Sequence, residues 1–101
     1  AFISLGARPF VMILGPPAEH DDLPDPAGMA ALRFDGRAAF ALHPRTWHEV
    51  PLALERDTDM LILTRAGTMH DLRHKQGNEA SGPDLDKRDL IARLGLVYEA
   101  A

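Results

Sequence analysis

Apolar residues come in short blocks along this chain. Ala1 to Leu5 and Pro9 to Leu14 are two such blocks, separated by Gly6-Ala7-Arg8, with β-branched or aromatic side chains at Phe2, Ile3, Phe10, Val11 and Ile13. That pattern predicts a β-hairpin. Gly15-Pro16-Pro17 stops the second strand, and the prolines and acids up to Pro26, including Glu19-His20-Asp21-Asp22, predict a solvated loop. Asp25-Pro26 offers an N-cap followed by proline at the first helical position, and Met29 and Leu32 follow at helical spacing, so one or two turns of helix are expected. Asp35-Gly36 ends it as a turn. Arg37 to Leu42 then opens a strand in which Ala39 and Ala41 leave room on one face. After the charged turn Glu55 to Asp59, Met60 to Thr64 is apolar at nearly every position, the pattern of a strand buried on both faces. About five short strands roughly ten residues apart, with little helix between them, indicate an all-β antiparallel sandwich or barrel with one or two short helices.

The tail reads differently. Residues 66–83 carry His70, His74, several glycines and many polar groups, and are expected to be loop. Residues 84–101 are expected to hold a tail helix and a strand. The helix has Asp84 or Asp86 as its cap, Leu90, Ile91 and Leu94 on one side, and ends at Gly95; Leu96 to Glu99 forms the strand. His70 and His74 have the i, i+4 spacing that places two imidazoles on one helical face for a metal. Gly67, Gly77 and Asn78 argue against a helix there and for plain exposure.

At 101 residues and 46% hydrophobic content the chain is expected to form one domain, 1–101. Its net charge of −4, with Lys and Arg scattered singly, argues against a nucleic-acid partner. Cysteine is absent, so any metal must use His and carboxylates. The apolar runs are far shorter than the roughly 20 residues a membrane helix needs, and the expectation is a cytoplasmic protein without a membrane partner. The chain opens on apparent strand without Met, as a piece of something longer would, so part of the core and site is expected upstream.

Candidate chemistry gathers in His43-Pro44-Arg45-Thr46-Trp47-His48-Glu49-Val50-Pro51-Leu52. Pro44 and Pro51 confine regular pairing to the short piece between them, at a sheet edge or strand corner. Trp47 and His48 point to opposite faces if that piece is extended. His48 can serve as general base or acid, and Arg45 can grip a carboxylate with its bidentate fork. Each also has a plainer role: His48 as a hydrogen-bonded rim histidine, Arg45 as a surface cation, Trp47 as packing. Glu49 points away from His48 unless a bulge turns it.

Several blocks follow in an order that resembles the ureidoglycolate lyases. These are Ala1-Phe2-Ile3-Ser4-Leu5, Pro9-Phe10-Val11, Leu32 to Arg37, Thr46-Trp47-His48, Pro51-Leu52 and Asp57-Thr58-Asp59-Met60-Leu61, and the likeness covers Ala1 to Arg65. The resemblance implies a cupin-like double-stranded β-helix, a jelly-roll barrel that this chain fills only in part, working as a cytoplasmic homodimer. The implied activity is carbon–nitrogen lysis of the amidine-lyase type, cleaving (S)-ureidoglycolate to glyoxylate and urea in allantoin and purine degradation. His48 matches the histidine of the second cupin motif and is the candidate catalytic residue. Arg45, Trp47, His43 and Arg65 are candidates for binding the small carboxylate substrate.

Two departures fall at this site. The family commonly shows Trp-His-His-Pro, where this chain has Trp47-His48-Glu49-Val50-Pro51, one residue longer. The family also often has glycine where Arg45 stands. The chemistry requires no redox step and no nucleophile. A divalent metal, with His48 as its one ligand here, needs further ligands from the missing half of the barrel. Two alternatives stand beside the lyase: a non-catalytic cupin module that binds a small organic acid, and a metal-dependent cupin enzyme with another substrate. A polar pocket where His48 meets an arginine favours chemistry, and a His48 capped by a backbone carbonyl in apolar surroundings favours binding or structure alone.

Overall fold

A computed structural model describes residues 1–17 and 23–98. The acidic cluster Glu19-His20-Asp21-Asp22 lies outside the described residues. The chain is mostly strand, with two short helices, and its contacts cluster into two units, Ala1–Leu63 and a second that begins at Thr64.

The first unit is built on β2 (Phe10–Gly15). One edge of β2 pairs antiparallel with β3 (Ala30–Phe34), and the other with β4 (Trp47–His48) and β5 (Leu52–Ala53). β2 is suited to this central position because its backbone is paired on both edges and its apolar residues run without a break. Alternation sends Phe10 and Met12 to one face, where they form the core with Phe2, and Leu14, Phe34, Phe40, Leu42 and Met60 pack around them. All four phenylalanines share one stack: Phe10 on Phe34 at 5.1 Å, Phe34 on Phe40 at 4.4 Å and Phe40 on Phe2 at 5.2 Å. Offset ring pairs of this kind add about 0.5–1.5 kcal/mol each beyond area burial.

The expected hairpin of the first two strands does not form. β1 (Phe2–Ser4) pairs instead with β6 (Met60–Ile62), and Phe2 and Phe40 exchange backbone hydrogen bonds of 2.8 and 3.1 Å on its other side. The link after β1 explains the change of partner. Ser4 Oγ donates to the Arg8 carbonyl and accepts from the Arg8 amide, while Gly6 and Ala7 take positive φ values of 86° and 51°. That tight link turns the chain out of β1's sheet rather than folding it back on β1.

Asp25 does cap a helical turn, its carboxylate accepting from the Ala27 amide, but the turn is a single 3-10 one over Pro26–Gly28. Ala30 to Phe34 runs on as strand because it lies along β2, and pairing with a central strand outweighs the weak helical preference of its alanines. Of the strand expected over Arg37 to Leu42, only the Phe40 bridge is regular. Met60 to Thr64 is likewise not buried on both faces: Leu61 and Ile62 on β6 and Leu63 just after it are exposed, and among the described residues β6 pairs with β1 alone. The strands fall into separate sheets and no barrel closes among the described residues.

In the second unit, the stretch 66–83 that reads as loop contains α1 (Thr68–Arg73) and β7 (Ala80–Ser81), which pairs with β8 (Asp86–Lys87). The start of α1 is held from 17 residues away. One Asp84 carboxylate oxygen accepts from the Gly67 amide at 2.9 Å and the other from Arg65 Nε at 2.8 Å, and buried Asp71 accepts the Asp84 amide at 2.7 Å. A Cβ at Gly67 would collide with the Asp84 carboxylate, and one at Gly82 with that of Asp71. The tail helix, α2 (Leu90–Leu94), ends at Gly95 as expected, with φ +66°, but starts late, because Asp86-Lys87 pairs in β8 and Asp89 supplies the cap. The strand expected after it is not formed over Leu96 to Tyr98.

Glu79 ties α2 to β7. It accepts from both Arg93 Nε at 3.0 Å and the Arg93 terminal nitrogen at 2.8 Å, and from the Asp89 amide at 3.1 Å. The Arg93 hydrogen bonds, chiefly, hold its carboxyl at about 2, below the ordinary 4.5. A depressed carboxyl stabilises the fold fully above its unfolded value and loses that contribution as pH falls. The α2 contacts are therefore expected to weaken as pH drops from 4.5 toward 2, and Glu79→Gln to remove most of that acid dependence. Amide NMR shifts of Asp89 to Leu94 followed through the same range check this.

Candidate functional site

The stretch Trp47 to Ala53 runs along the second edge of β2 in two pieces. Leu14 lies opposite His48 and Gly15 opposite Trp47, whereas Val11 lies opposite Leu52 and Phe10 opposite Ala53. Between the two pieces the register moves by one residue, with the Glu49 amide donating to the Ile13 carbonyl at 3.1 Å. This is a bulge, and it takes up the additional residue between His48 and Pro51. Glu49 does not become a partner of His48; its carboxylate accepts the next amide, that of Val50, at 3.0 Å.

His48 lies opposite Leu14, so it projects from the core face of the sheet, and its ring meets Phe2 edge-on at 5.9 Å. Its Nδ1 is 3.0 Å from the Thr46 carbonyl. A carbonyl only accepts, so in the neutral ring that nitrogen carries the proton and Nε2 keeps its lone pair. Nε2 has no hydrogen-bond partner among the described residues, and the side chain is exposed. The ring is thus held in one tautomer with its basic nitrogen outward. Trp47, half-buried, belongs to the opposite face, as strand alternation requires.

Immediately before β4, the Thr46 amide donates to the His43 carbonyl at 3.2 Å, closing a turn over His43-Pro44-Arg45-Thr46. Proline at its second position excludes a positive φ there, and Arg45 at its third has φ +68°, which together define a type II turn. That third position ordinarily takes glycine. An L-residue in this left-handed region costs about 1–2 kcal/mol, and such strain is tolerated most often where a side chain is used. His43 and Arg45 lie in this turn, which leads directly into β4, and both are exposed. Arg65 lies in the second unit, where its guanidinium holds Asp84.

An open cavity of about 340 Å3 lies elsewhere in the first unit, lined by Ala7, Pro9, Arg33, Asp35, Arg37 and Glu55. Arg33 pairs with Val11, so this cavity adjoins the face of β2 turned away from Phe10 and His48, and its two arginines are offset by two carboxylates. It contains none of the residues predicted for the site. Among the described residues no three His, Asp or Glu side chains gather as metal ligands, and no helix is long and apolar enough to cross a membrane.

The tautomer lock from Thr46 left no sequence signal, because any residue supplies a carbonyl. The bulge did leave one, in the extra residue between His48 and Pro51.

No solved structure matches the chain. Relatives that match it include the ureidoglycolate lyases of Stutzerimonas stutzeri (strain A1501) and Pseudomonas aeruginosa (strain UCBPP-PA14), each 32% identical over 68 residues that make up 67% of this chain and 38% of the relative. The enzyme of that name from Pseudomonas putida (strain GB-1) is also 32% identical, with 39% of its length covered. The matched stretch is thus well under half of each relative. The sequence model describing ureidoglycolate lyase matches residues 1–81, the whole of the β2-centred unit with its His43–His48 turn and strand included, and on that match the chain belongs to the ureidoglycolate lyase family.

Proposed function

We propose that the protein acts as a ureidoglycolate lyase on a cupin jelly roll, as a homodimer, cleaving (S)-ureidoglycolate to glyoxylate and urea. The observation that carries this is His48: an exposed imidazole, fixed by the Thr46 carbonyl with Nε2 as its base, in a chain of this family. The substrate is a hemiaminal bearing a carboxylate. His48 Nε2 takes the hydroxyl proton as the O–H electrons form the aldehyde C=O. The C–N bond breaks, and the leaving nitrogen takes a proton, which the imidazolium can return. Atoms and charge balance without an oxidant or covalent intermediate, and one imidazole serves both proton steps. Arg45, presented by its strained turn, grips the carboxylate, and His43 opens the same turn. Trp47 lies on the other face of the strand and Arg65 is ion-paired with Asp84 through Nε, and both remain candidates for binding the carboxylate.

A second reading, a module that binds a small organic acid without turnover, is favoured by one observation: His48 satisfies Nδ1 on a backbone carbonyl and meets Phe2 edge to face, as a structural histidine does. Racemic ureidoglycolate separates the two. The lyase is expected to release glyoxylate and urea in equal amounts and stop when half the racemate is consumed. Saturable binding with no release would establish the second reading and sink the first.

A further inference from the structure

We propose that His70 and His74 form a two-imidazole site for a first-row transition-metal dication of the zinc and copper class. It stands apart from the lyase assignment and uses neither His48 nor its neighbours. Residues four apart meet on one face only if the helix exists, and the helix does exist because Asp84 caps it from a distance. The two rings lie 4.4 Å apart, centroid to centroid, with their planes tilted by 42°. His74 Nδ1 is 2.8 Å from the His70 carbonyl, so Nδ1 carries the proton and Nε2 keeps the lone pair a metal needs. A ring nitrogen orienting its partner in this way is the usual outer-sphere support of a histidine ligand.

That hydrogen bond has a plain cause as well. The His74 amide bonds to the Asp71 and Leu72 carbonyls, so the side chain takes the His70 carbonyl that the last helical turn leaves open. The capping role and the ligand role use different ring nitrogens and coexist.

Imidazole ligands suit zinc, copper and nickel rather than calcium or magnesium, which select oxygen. Asp71, between the two histidines in sequence, is buried and holds the Asp84 amide, so it is not a third ligand. Among the described residues the pair has no further His, Asp or Glu gathered with it. The remaining coordination positions go to water, which makes the site open and exchangeable. A dication bridging one turn also clips a six-residue helix that is too short to persist alone.

Titration calorimetry of untagged protein with Zn²⁺ and with Cu²⁺ tests this. One saturable site per chain is expected, tighter for Cu²⁺ than for Zn²⁺. His70→Ala and His74→Gln are each expected to weaken it by roughly tenfold or more, with far-UV circular dichroism unchanged. Paramagnetic broadening by Cu²⁺ should centre on the amides of residues 67–77. Affinity unchanged in the double variant, broadening centred on His43 or His48, or no saturable binding by either ion up to ~1 mM would each overturn the proposal.

Discussion

His48→Ala is expected to lower ureidoglycolate turnover by about 10²- to 10⁴-fold, the range that general acid–base help supplies, with little change in thermal midpoint. The small structural cost follows from exposure: the ring touches Phe2 by its edge at 5.9 Å and is not part of the buried stack. His48→Asn sharpens the test, because its amide N–H can still donate to the Thr46 carbonyl while offering no base. If His48 mattered only as a structural hydrogen bond, Asn would restore function. Acting as the base, it leaves Asn as slow as Ala. Steady-state kcat and KM for wild type and both variants, alongside unfolding curves, decide between these, and a fully active His48→Asn would remove His48 from the chemistry.

Arg45→Gly gives a complementary result. Glycine adopts φ +68° freely, so the turn loses about 1–2 kcal/mol of strain. The thermal midpoint should hold or rise. Removing a charge-assisted hydrogen bond to the substrate carboxylate, about 1.5–3 kcal/mol, should raise KM roughly 10- to 100-fold. Stability kept and affinity lost would mark Arg45 as a binding residue in a strained seat. An unchanged KM would leave the strain unexplained by substrate.

What could be read in the sequence was local in origin. The Asp25-Pro26 cap, the Gly95 helix end and the opposite faces of Trp47 and His48 depend on residues within a few positions of one another, and all appear. Partner choice was not legible. β1 joins β6 across nearly sixty residues because Ser4 and Arg8 lock the link after it, and no periodicity reports a side-chain to backbone lock. Met60 to Leu63 shows why an apolar run is a poor guide to burial: its composition is that of an interior strand, yet among the described residues one of its edges is left unpaired, and while Met60 packs on the core, Leu61, Ile62 and Leu63 are exposed. Helix α1 failed as a prediction for the opposite reason. Gly67 looked like a breaker, but its missing Cβ is what lets the Asp84 carboxylate reach the helix start. At the site, residue types pointed to His48 and Arg45, and the left-handed φ of Arg45, a value glycine adopts without strain, had no signal in the sequence.

The largest structural effect is expected at a position with no chemistry at all. Gly36 is buried, has φ +81°, and continues the β2–β3 register two residues past Phe10 and Phe34, where it faces Arg8. A Cβ there would run into the Arg8 carbonyl oxygen, with the carbonyl carbon at 2.6 Å and the amide nitrogen at 2.8 Å. Backbone cannot rotate aside as a long side chain can, and Arg8 is pinned at both its amide and carbonyl by Ser4. Gly36→Ala therefore combines the left-handed torsional cost of about 1–2 kcal/mol with a clash that must shift the entry to β2. A total near 3 kcal/mol is expected, lowering the thermal midpoint by roughly 10–20 °C. Gly6→Ala isolates the torsional part, because Gly6 has φ +86° but a Cβ there meets only the flexible Arg8 Nε at 3.6 Å. It should cost about 1–2 kcal/mol. The sole tryptophan, Trp47, sits on the far end of β2 and reports unfolding of this unit by fluorescence. Equal midpoints for the two variants would mean that Arg8 yields, and that the Ser4 link does not hold β1 and β2 in their separate sheets as tightly as its two hydrogen bonds imply.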